Sequence, residues 1–432
     1  MNDTVPTDLK RGVDLWGIVA LGLGTAVGVS IFSVEAPATA IAGPAMLLSV
    51  LLSAVPMFII AVTYAFMGSA HPVTGASYVW PRLYVHPTLG FLVAWLRIAG
   101  NAALMIVLAQ VLVQYLSMVV PLPVKPTMLV LFAMIFLPNL FGVGIAWRVQ
   151  VILMLLLVLV LGIYAVWGAG SVRVAHLHPF LSHGLSGAVL AIPLLVNLFF
   201  GIESATELGE EVRGGGLVIP LGIALSIASA VGLYFIIAFV TLGVLGGPGV
   251  AASKAPLLSA AQLFMGTAAK PVIVAAATLS LAKSLNGAYL VFSRILLAMA
   301  RGGELPTALA RLHPRWGTPY VALLAVFAFC ATGLLLPSSL TFLFLAVSLP
   351  ILFKYGSVCL SAIRMLRLRP DLYQAARFKF SLRATRLWAL AGMICAGVVM
   401  ALGLGTDWRP YAALGLWALI GLGWRRLHGR AS

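Results

Sequence analysis

The stretch that decides the fold is LGLGTAVGVSIF, residues 21–32, which lies within an apolar run that ends at Gly43-Pro44. Three glycines in eight positions weaken a helix, and a bilayer tolerates unpaired backbone groups only where they face protein or a water-filled cavity. Gly24 and Gly28 also have the GxxxG spacing of tight helix packing, which is the alternative interpretation. We interpret this stretch as a transmembrane helix interrupted near its middle.

A second stretch of the same kind is NLFFGIESAT, residues 197–206. It places a glycine and a glutamate inside an otherwise apolar segment. The two stretches fall in the first and sixth apolar segments, which are matching positions if segments one to five and six to ten are two repeats. Paired interrupted helices in two halves are the best sequence indication of a transporter's central site.

The composition excludes a water-soluble fold. Of 432 residues, 62% are hydrophobic and 9% are charged, whereas soluble domains have roughly 25% charged residues. Connections between apolar segments are short, so we expect one membrane domain, all-α and polytopic. A rule of about 20 apolar residues per span predicts twelve transmembrane helices, near 13–42, 44–68, 86–119, 126–144, 148–169, 187–208, 217–246, 271–300, 319–336, 339–363, 386–405 and 409–425. Breaks or kinks are expected at Pro138, Pro337 and Pro350.

The basic residues set the expected orientation. The formal charge is +16, from 27 Lys and Arg against 11 Asp and Glu. With the N-terminus inside, nineteen of the basic residues fall in cytoplasmic segments, and five fall in outer loops: Lys125, Arg173, Lys254, Lys270 and Arg409. This asymmetry predicts that both termini are cytoplasmic. The basic segment 364–386 is expected to face anionic membrane lipids, and nucleic acid is not expected as a partner.

An interrupted helix has a chemistry of its own. The half-helix after the break presents free N–H groups and a positive dipole end, which suit a carboxylate. The opposing half-helix presents carbonyl oxygens, which suit an ammonium group. An amino acid matches both, with its carboxylate on the amides of residues 28–31 and its amine at carbonyls near Thr25 and residues 200–203. The predicted substrate-binding residues at the two breaks are Thr25, Gly28, Val29, Ser30, Ile31, Phe199, Phe200, Gly201 and Ile202.

These motifs resemble those of the amino acid–polyamine–organocation superfamily, in particular its bacterial amino acid permeases and antiporters. The family's first-helix G-S-G-I-F break and Gly-Pro correspond to residues 28–32 and Gly43-Pro44. Its sixth-helix G-[IV]-E-S-A pattern and acidic pair correspond to residues 201–205 and Glu210-Glu211. The loop pattern S-R-x-L-x-A-M-A-R-x-G-x-L-P, ending in H-P-R-x-G-T-P, is met by residues 293–306 and 313–319.

The resemblance implies a LeuT-like five-plus-five inverted repeat, residues 13–170 and 187–363, followed by two further helices in 386–425. It also implies alternating access, a bacterial cytoplasmic (inner) membrane location, and a substrate held by the unwound parts of helices one and six. The chain departs from the pattern at Val29 and Ser30, and Asn197 stands where some antiporters place an aromatic gate. These departures leave the substrate open.

Ionisable groups inside a membrane are expensive and indicate function by default. Five groups within the predicted spans are the candidates: Glu35, Arg97, Glu203, Glu207 and Lys283. Glu203, beside the second break, is the candidate for taking up and releasing a proton. Lys283 follows a polar string whose face can point at the first break, where its ammonium would replace a sodium ion. Some sodium-independent relatives are thought to use a lysine in this way, from the fifth helix.

Each of these residues also has a structural interpretation. Lys283 could pair with Glu35, Glu203 or Glu207, and Glu203 could be a hydrogen-bonding acid of the core. Asn101 matches an asparagine that related antiporters place near the substrate, but an interhelical hydrogen bond is equally compatible. Arg97 could extend to a membrane interface.

The remaining motifs indicate no enzyme. Catalytic signatures and nucleotide loops are missing from the sequence, and His176, His178 and His183 fit a solvated outer loop better than a metal site. We therefore expect no catalytic residue, no metal and no cofactor. The predicted function is secondary transport of amino acids or related amines, coupled to protons or to exchange. Export of neutral, apolar amino acids is the alternative, and a membrane enzyme or receptor is the rival from another class.

Overall fold

A computed structural model describes residues 12–428, apart from positions 29, 142, 254, 335–339 and 405–407. Within these ranges the chain is helical, with two isolated β-bridges. The first half contains α1 (Leu15–Ala26), α2 (Ser30–Ser33), α3 (Glu35–Ala42), α4 (Met46–Ala70), α5 (Ala76–Tyr84), α6 (Pro87–Leu116), α7 (Val124–Leu140) and α8 (Val143–Ala169). The second half contains α9 (Gly184–Leu190), α10 (Ile192–Leu195), α11 (Gly215–Ala252), α12 (Pro256–Met265), α13 (Ala269–Arg301), α14 (Tyr320–Gly333), α15 (Leu340–Leu368), α16 (Pro370–Ala375), α17 (Leu382–Leu404) and α18 (Arg409–His428).

The helices are those of an integral membrane protein. Among the described residues, seven helical stretches are long and apolar enough to cross a bilayer, and three shorter apolar helices accompany them. Large apolar side chains such as Leu155, Leu159 and Val166 are exposed along α8, where a soluble protein would place polar groups. The all-α polytopic fold class is therefore confirmed.

The first predicted break lies at the end of α1. That helix begins where the Asp14 carboxylate accepts a hydrogen bond from the Gly17 amide at 2.8 Å, an N-cap that satisfies one orphan donor. It ends at Ala26, since the next residue, Val27, has φ −76° and ψ 78°, outside the helical region. The chain resumes as the short helices α2 and α3.

The second predicted break lies between α10 and α11. After α10 the chain forms a 3₁₀ helix, Val196–Phe199, and then a second one, Ile202–Glu207. Gly201 separates them with φ +100°, a conformation that glycine adopts without steric cost. The sixth predicted span is therefore several short segments in place of one continuous helix.

Three features of the helices were not predicted. The short helices α5 and α12 precede α6 and α13, and α11 bends at Gly246, which has φ +73° and ψ 159°. The order of elements is similar after each break. A long helix (α4 or α11) is followed by a short one (α5 or α12) and then by three longer ones (α6–α8 or α13–α15). Pro138 and Pro350 lie inside α7 and α15, while Pro337 lies outside the described residues.

The centre of the molecule is α13, which packs against α1, α6 and α8. Its side chains are buried from residue 283 to residue 300, including the charged Lys283 and Arg294. A helix that is buried on all sides presents polar groups to its neighbours only. This arrangement brings α13 against both breaks and positions the site described below.

Candidate functional site

A cavity of about 380 Å³ lies beside the two breaks. This volume lies in the range of about 300–1,000 Å³ that is usual for small-molecule sites. The walls come from α1, α6, α13, α15 and the segment around the second break. The lining residues are Thr25, Ala26, Gly28, Val34, Arg97, Asn101, Leu104, Val107, Leu108, Leu194, Asn197, Phe200, Gly201, Glu203, Ser204, Ser284, Ala288, Val291, Val347, Ser348, Ile351 and Lys354.

The predicted site residues separate into two groups. Those that line the cavity are Thr25, Gly28, Asn101, Phe200, Gly201 and Glu203. Those that are buried elsewhere are Ile31, Phe199, Ile202 and Lys283. Val29 lies outside the described residues, and so does the side chain of Ser30, the first residue of α2. The structure thus brings together one or more predicted residues from each break and from α6.

The two breaks are in direct contact. The Thr25 hydroxyl lies 2.7 Å from the Gly201 carbonyl oxygen, and a β-carbon placed on Gly201 would lie only 2.8 Å from that hydroxyl. The Tyr234 hydroxyl, from α11, lies 2.9 Å from the Ala26 carbonyl oxygen and 3.0 Å from that of Leu198. One tyrosine therefore links the carbonyl groups exposed by both breaks.

Lys283 points at the end of α1, as its polar neighbours in the sequence suggested. Its Nζ donates to the carbonyl oxygens of Gly24 and Val27, both at 2.8 Å. The hydroxyl of Ser284 donates to the Gly24 carbonyl at 2.8 Å, and that of Ser280 to the Val27 carbonyl at 2.8 Å. Lys283 is fully buried and is in none of the ion pairs formed by the described residues. Its amino group donates to carbonyl oxygens that the end of α1 leaves without intrahelical partners.

Glu203 forms a buried ion pair with Lys354 of α15. The neighbouring Tyr355 donates its hydroxyl to the other carboxylate oxygen at 2.8 Å. Sequence reasoning missed Lys354, although it lies inside the predicted span 339–363, where a single lysine in an apolar run is itself a signal. The carboxylate and the ammonium compensate each other at the wall of the cavity.

Arg97 forms a second buried ion pair. Its Nη1 donates to Glu207 at 2.7 Å and to the Ser77 hydroxyl at 2.9 Å. The interpretation that Arg97 extends to a membrane interface is therefore wrong, because the charge is satisfied within the protein. Two donors remain beside the cavity: Arg97 Nε and Asn101 Nδ2 are buried and have no hydrogen-bond partner in the described part of the chain. Buried donors of this kind favour a ligand with acceptor oxygens.

The loop motifs of the sequence also meet in space. Glu211 belongs to the acidic pair after the second break. Its two carboxylate oxygens accept hydrogen bonds from Nε and Nη2 of Arg294, at 2.8 and 2.9 Å. The Glu211 carbonyl oxygen accepts the amides of Gly12 and Val13 at 3.0 and 3.1 Å. These contacts join the segment before α1, the end of the second break and α13.

Comparison with known proteins identifies relatives along most of the chain. The profile of the amino acid permease family matches residues 13–417. An uncharacterized transporter of Mycobacterium tuberculosis is 30% identical over 76% of this chain and 74% of its own length. The branched-chain amino acid permease BcaP of Bacillus subtilis is 25% identical over 96% of this chain and 92% of its own. A methylthioribose transporter of the same organism is 24% identical over 72% of each.

Proposed function

The chain belongs to the amino acid permease family, and on that premise we propose that it is a secondary transporter that binds a neutral amino acid in the 380 Å³ cavity beside its two helix breaks. Permeases move molecules and do not transform them, so the site is a binding site without catalytic residues. The observation that carries the proposal is the cavity itself, which both breaks and α6 line together.

The charges around the cavity favour a neutral substrate. Among the described lining residues, the charged ones are Arg97, Glu203 and Lys354. Arg97 is compensated by Glu207, and Lys354 by Glu203. A basic or acidic substrate side chain would have to separate one of these pairs, and an uncompensated buried charge costs about 3–5 kcal/mol. Apolar lining residues such as Leu104, Val107 and Ile351 match an apolar side chain.

The polar groups of the cavity suggest how the substrate backbone is held. Asn101 Nδ2 and Arg97 Nε supply donors without partners for the carboxylate. The amide of Gly28 donates to the Ala26 carbonyl at 2.8 Å, so a carboxylate on that amide has to displace this contact. The proposed contacts at residues 28–31 thus apply to a substrate-bound state in which the first break rearranges.

We assign coupling to the buried charges. Lys283 acts as a built-in cation at the first break, in the place where a sodium ion would otherwise neutralise carbonyl oxygens. Glu203, with Lys354, forms a charge pair at the cavity wall that has to separate or move when the second break moves. The repeated order of elements in residues 13–170 and 187–363 supports two repeats and alternating access between them.

For orientation we retain both termini on the cytoplasmic side of a bacterial inner membrane, with the basic segment 364–386 against lipid headgroups. Single cysteines at Ser182 and at Gln374 test this arrangement. An impermeant thiol reagent added to intact cells should label the first, and should reach the second only after the cells are opened. The reverse pattern would invert the assigned topology.

The experiment that tests the function is transport by the purified protein in sealed vesicles. The vesicles are loaded with each of the twenty amino acids or with common polyamines, and proton or sodium gradients are imposed in both directions. We expect counterflow of neutral, apolar amino acids, and uptake and release measured separately distinguish import from export. Absence of movement for every compound under every gradient would overturn the proposal.

A further inference from the structure

Glu35 lies on α3, the half-helix beyond the first break, in a second and much smaller cavity of about 10 Å³. Its side chain is 7% exposed. The other lining residues are apolar apart from one phenol: Ile31, Val34, Met46, Val50, Leu195, Leu198, Tyr234 and Ala238. This carboxyl group is separate from the substrate cavity and from the two ion pairs described above.

The Glu35 carboxyl has no cationic partner among the residues that the structure describes. One of its oxygens, Oε2, is buried with no hydrogen-bond partner, and none of the ion pairs formed by the described residues includes Glu35. An ionised carboxylate in such surroundings is very costly unless it is paired or hydrated. A cavity of about 10 Å³ holds at most roughly one water, too little to hydrate a carboxylate. The group is therefore neutral, and carries a proton, in this conformation.

The titratable groups that face Glu35 bring no positive charge that could compensate an ionised carboxylate. Tyr234 comes from α11, Tyr164 from α8 and Tyr115 from α6, and all three are neutral phenols. His183, before the start of α9, lies against Gly43, beyond the far end of α3. Protonation is therefore the means by which this carboxyl is neutralised, and it depends on the cavity staying closed.

We infer that Glu35 is the proton-binding site of the transport cycle, with its carboxyl protonated while α3 is packed and deprotonated when α3 moves and water enters. This inference rests on the proposed transport function. The proton is taken from water on one side of the membrane, forms the O–H bond of the carboxyl, and is returned to water on the other side. Since Glu35 lies on the segment directly after the break, movement of that segment and loss of the proton are linked.

The test compares the full chain with Glu35→Gln in sealed vesicles that contain a pH-sensitive dye. Glutamine copies the shape of the neutral carboxyl and cannot release a proton. For the unaltered protein we expect substrate-dependent proton flux and accumulation of substrate under a pH gradient. For Glu35→Gln we expect substrate exchange to persist, while proton flux falls to the level of empty vesicles. Asp371→Asn, at an exposed carboxyl of α16, is the matched control and should behave as the unaltered protein.

Infrared spectroscopy provides a readout that does not depend on transport. The unaltered protein should show the carbonyl band of a protonated carboxylic acid near neutral pH, and Glu35→Gln should lack it. The inference is overturned if that band is unchanged in the variant, or if the variant carries the proton flux of the unaltered protein. If the unaltered protein moves no amino acid at all, the proposed function fails, and the infrared band still reports on Glu35.

Discussion

Among single residues, the contact between Lys283 and the end of α1 bears most directly on how the first break keeps its shape. Two carbonyl oxygens that the end of α1 leaves without intrahelical partners both accept from the Lys283 amino group, and each also accepts from a serine hydroxyl of α13. A mobile cation at this place would make the shape of the break depend on ion binding. A covalently attached donor holds this shape without a bound ion.

Replacement of Lys283 by Met should therefore reduce transport strongly while the protein still folds. The carbonyls of Gly24 and Val27 each lose the Lys283 donor and keep only a serine hydroxyl. A hydrogen bond contributes about 0.5–1.5 kcal/mol, so the loss of two is enough to alter the break. Lys270→Met is the control, since Lys270 is an exposed lysine at the start of the same helix. Initial uptake rates in vesicles give the comparison, and normal uptake by Lys283→Met would leave the residue with a structural role only.

The pair of Glu203 and Lys354 permits a test of coupling between two residues. Glu203→Gln and Lys354→Met should each destabilise the protein by about 3–5 kcal/mol, because each leaves a buried charge without a partner. The double substitution removes both charges and should be less destabilising than the sum of the two single ones. Unfolding midpoints in detergent measure this cycle. Strict additivity would show that the two charges do not interact.

The pH profile of residual transport in Glu203→Gln gives separate information. If Glu203 exchanges protons during the cycle, the profile changes shape. If Glu203 is the fixed, charged half of an ion pair with Lys354, the profile keeps its shape and only the rate falls. We expect the second result, because the carboxylate has a cation and a phenol as partners, whereas Glu35 pairs with no cation in the described part of the chain.

The sequence alone identified charged residues that lie inside the membrane, but it did not predict which residues they pair with. Buried charges within apolar spans identified Glu35, Glu203 and Lys283 as special, since burial of charge is costly. The partner of Glu203 is 151 positions away, and helix packing, not local pattern, selects it. Arg97 was misjudged for the same reason, because its partner Glu207 comes from another helix.

At the scale of elements, the two breaks depend on backbone conformations that few residues adopt. Gly201 has φ +100°, and its backbone lies so close to Thr25 that a β-carbon would collide with the threonine side chain. Alanine at this position would have to strain the backbone and push Thr25 away. The geometry of the second break and its contact with the first therefore require glycine.

Gly201→Ala should reduce transport by about tenfold or more, since strain of about 1–3 kcal/mol is expected for a non-glycine residue in such a conformation. Gly232→Ala is the matched control, because a β-carbon at that position meets nothing within 4 Å. Substrate affinity and maximal rate are measured for both variants after each has been shown to be folded. Full activity of Gly201→Ala would contradict a close-fitting contact between the breaks.

The spans and both breaks could be predicted because apolar length and glycine content act locally. The first break was predicted within residues 21–32, and the helix stops at Ala26. The short helices α5 and α12 and the bend at Gly246 could not be predicted in the same way. Elements of about ten residues or fewer do not meet the length of a span, and a glycine in an apolar helix gives no sign of whether it bends.

In the molecule as a whole, the proposed transport requires that the substrate passes through the cavity between the two halves of the chain. The two interrupted segments, α6, α13 and α15 line one space, and its residues come from both halves of the sequence. Movement of one half against the other would open that space to one side at a time. A bulky group attached inside the cavity should therefore block the uptake of an amino acid.

The most direct test uses a cysteine that can be blocked after the protein is known to be active. Ile351 lines the cavity and is partly accessible. Ile351→Cys should transport amino acid until a bulky thiol reagent is attached, and then lose transport, while excess substrate slows the labelling. The unaltered protein, whose Cys330 and Cys359 are buried and Cys395 half-buried, is treated in parallel and should keep its activity. Full uptake by completely labelled Ile351→Cys would contradict transport through this cavity.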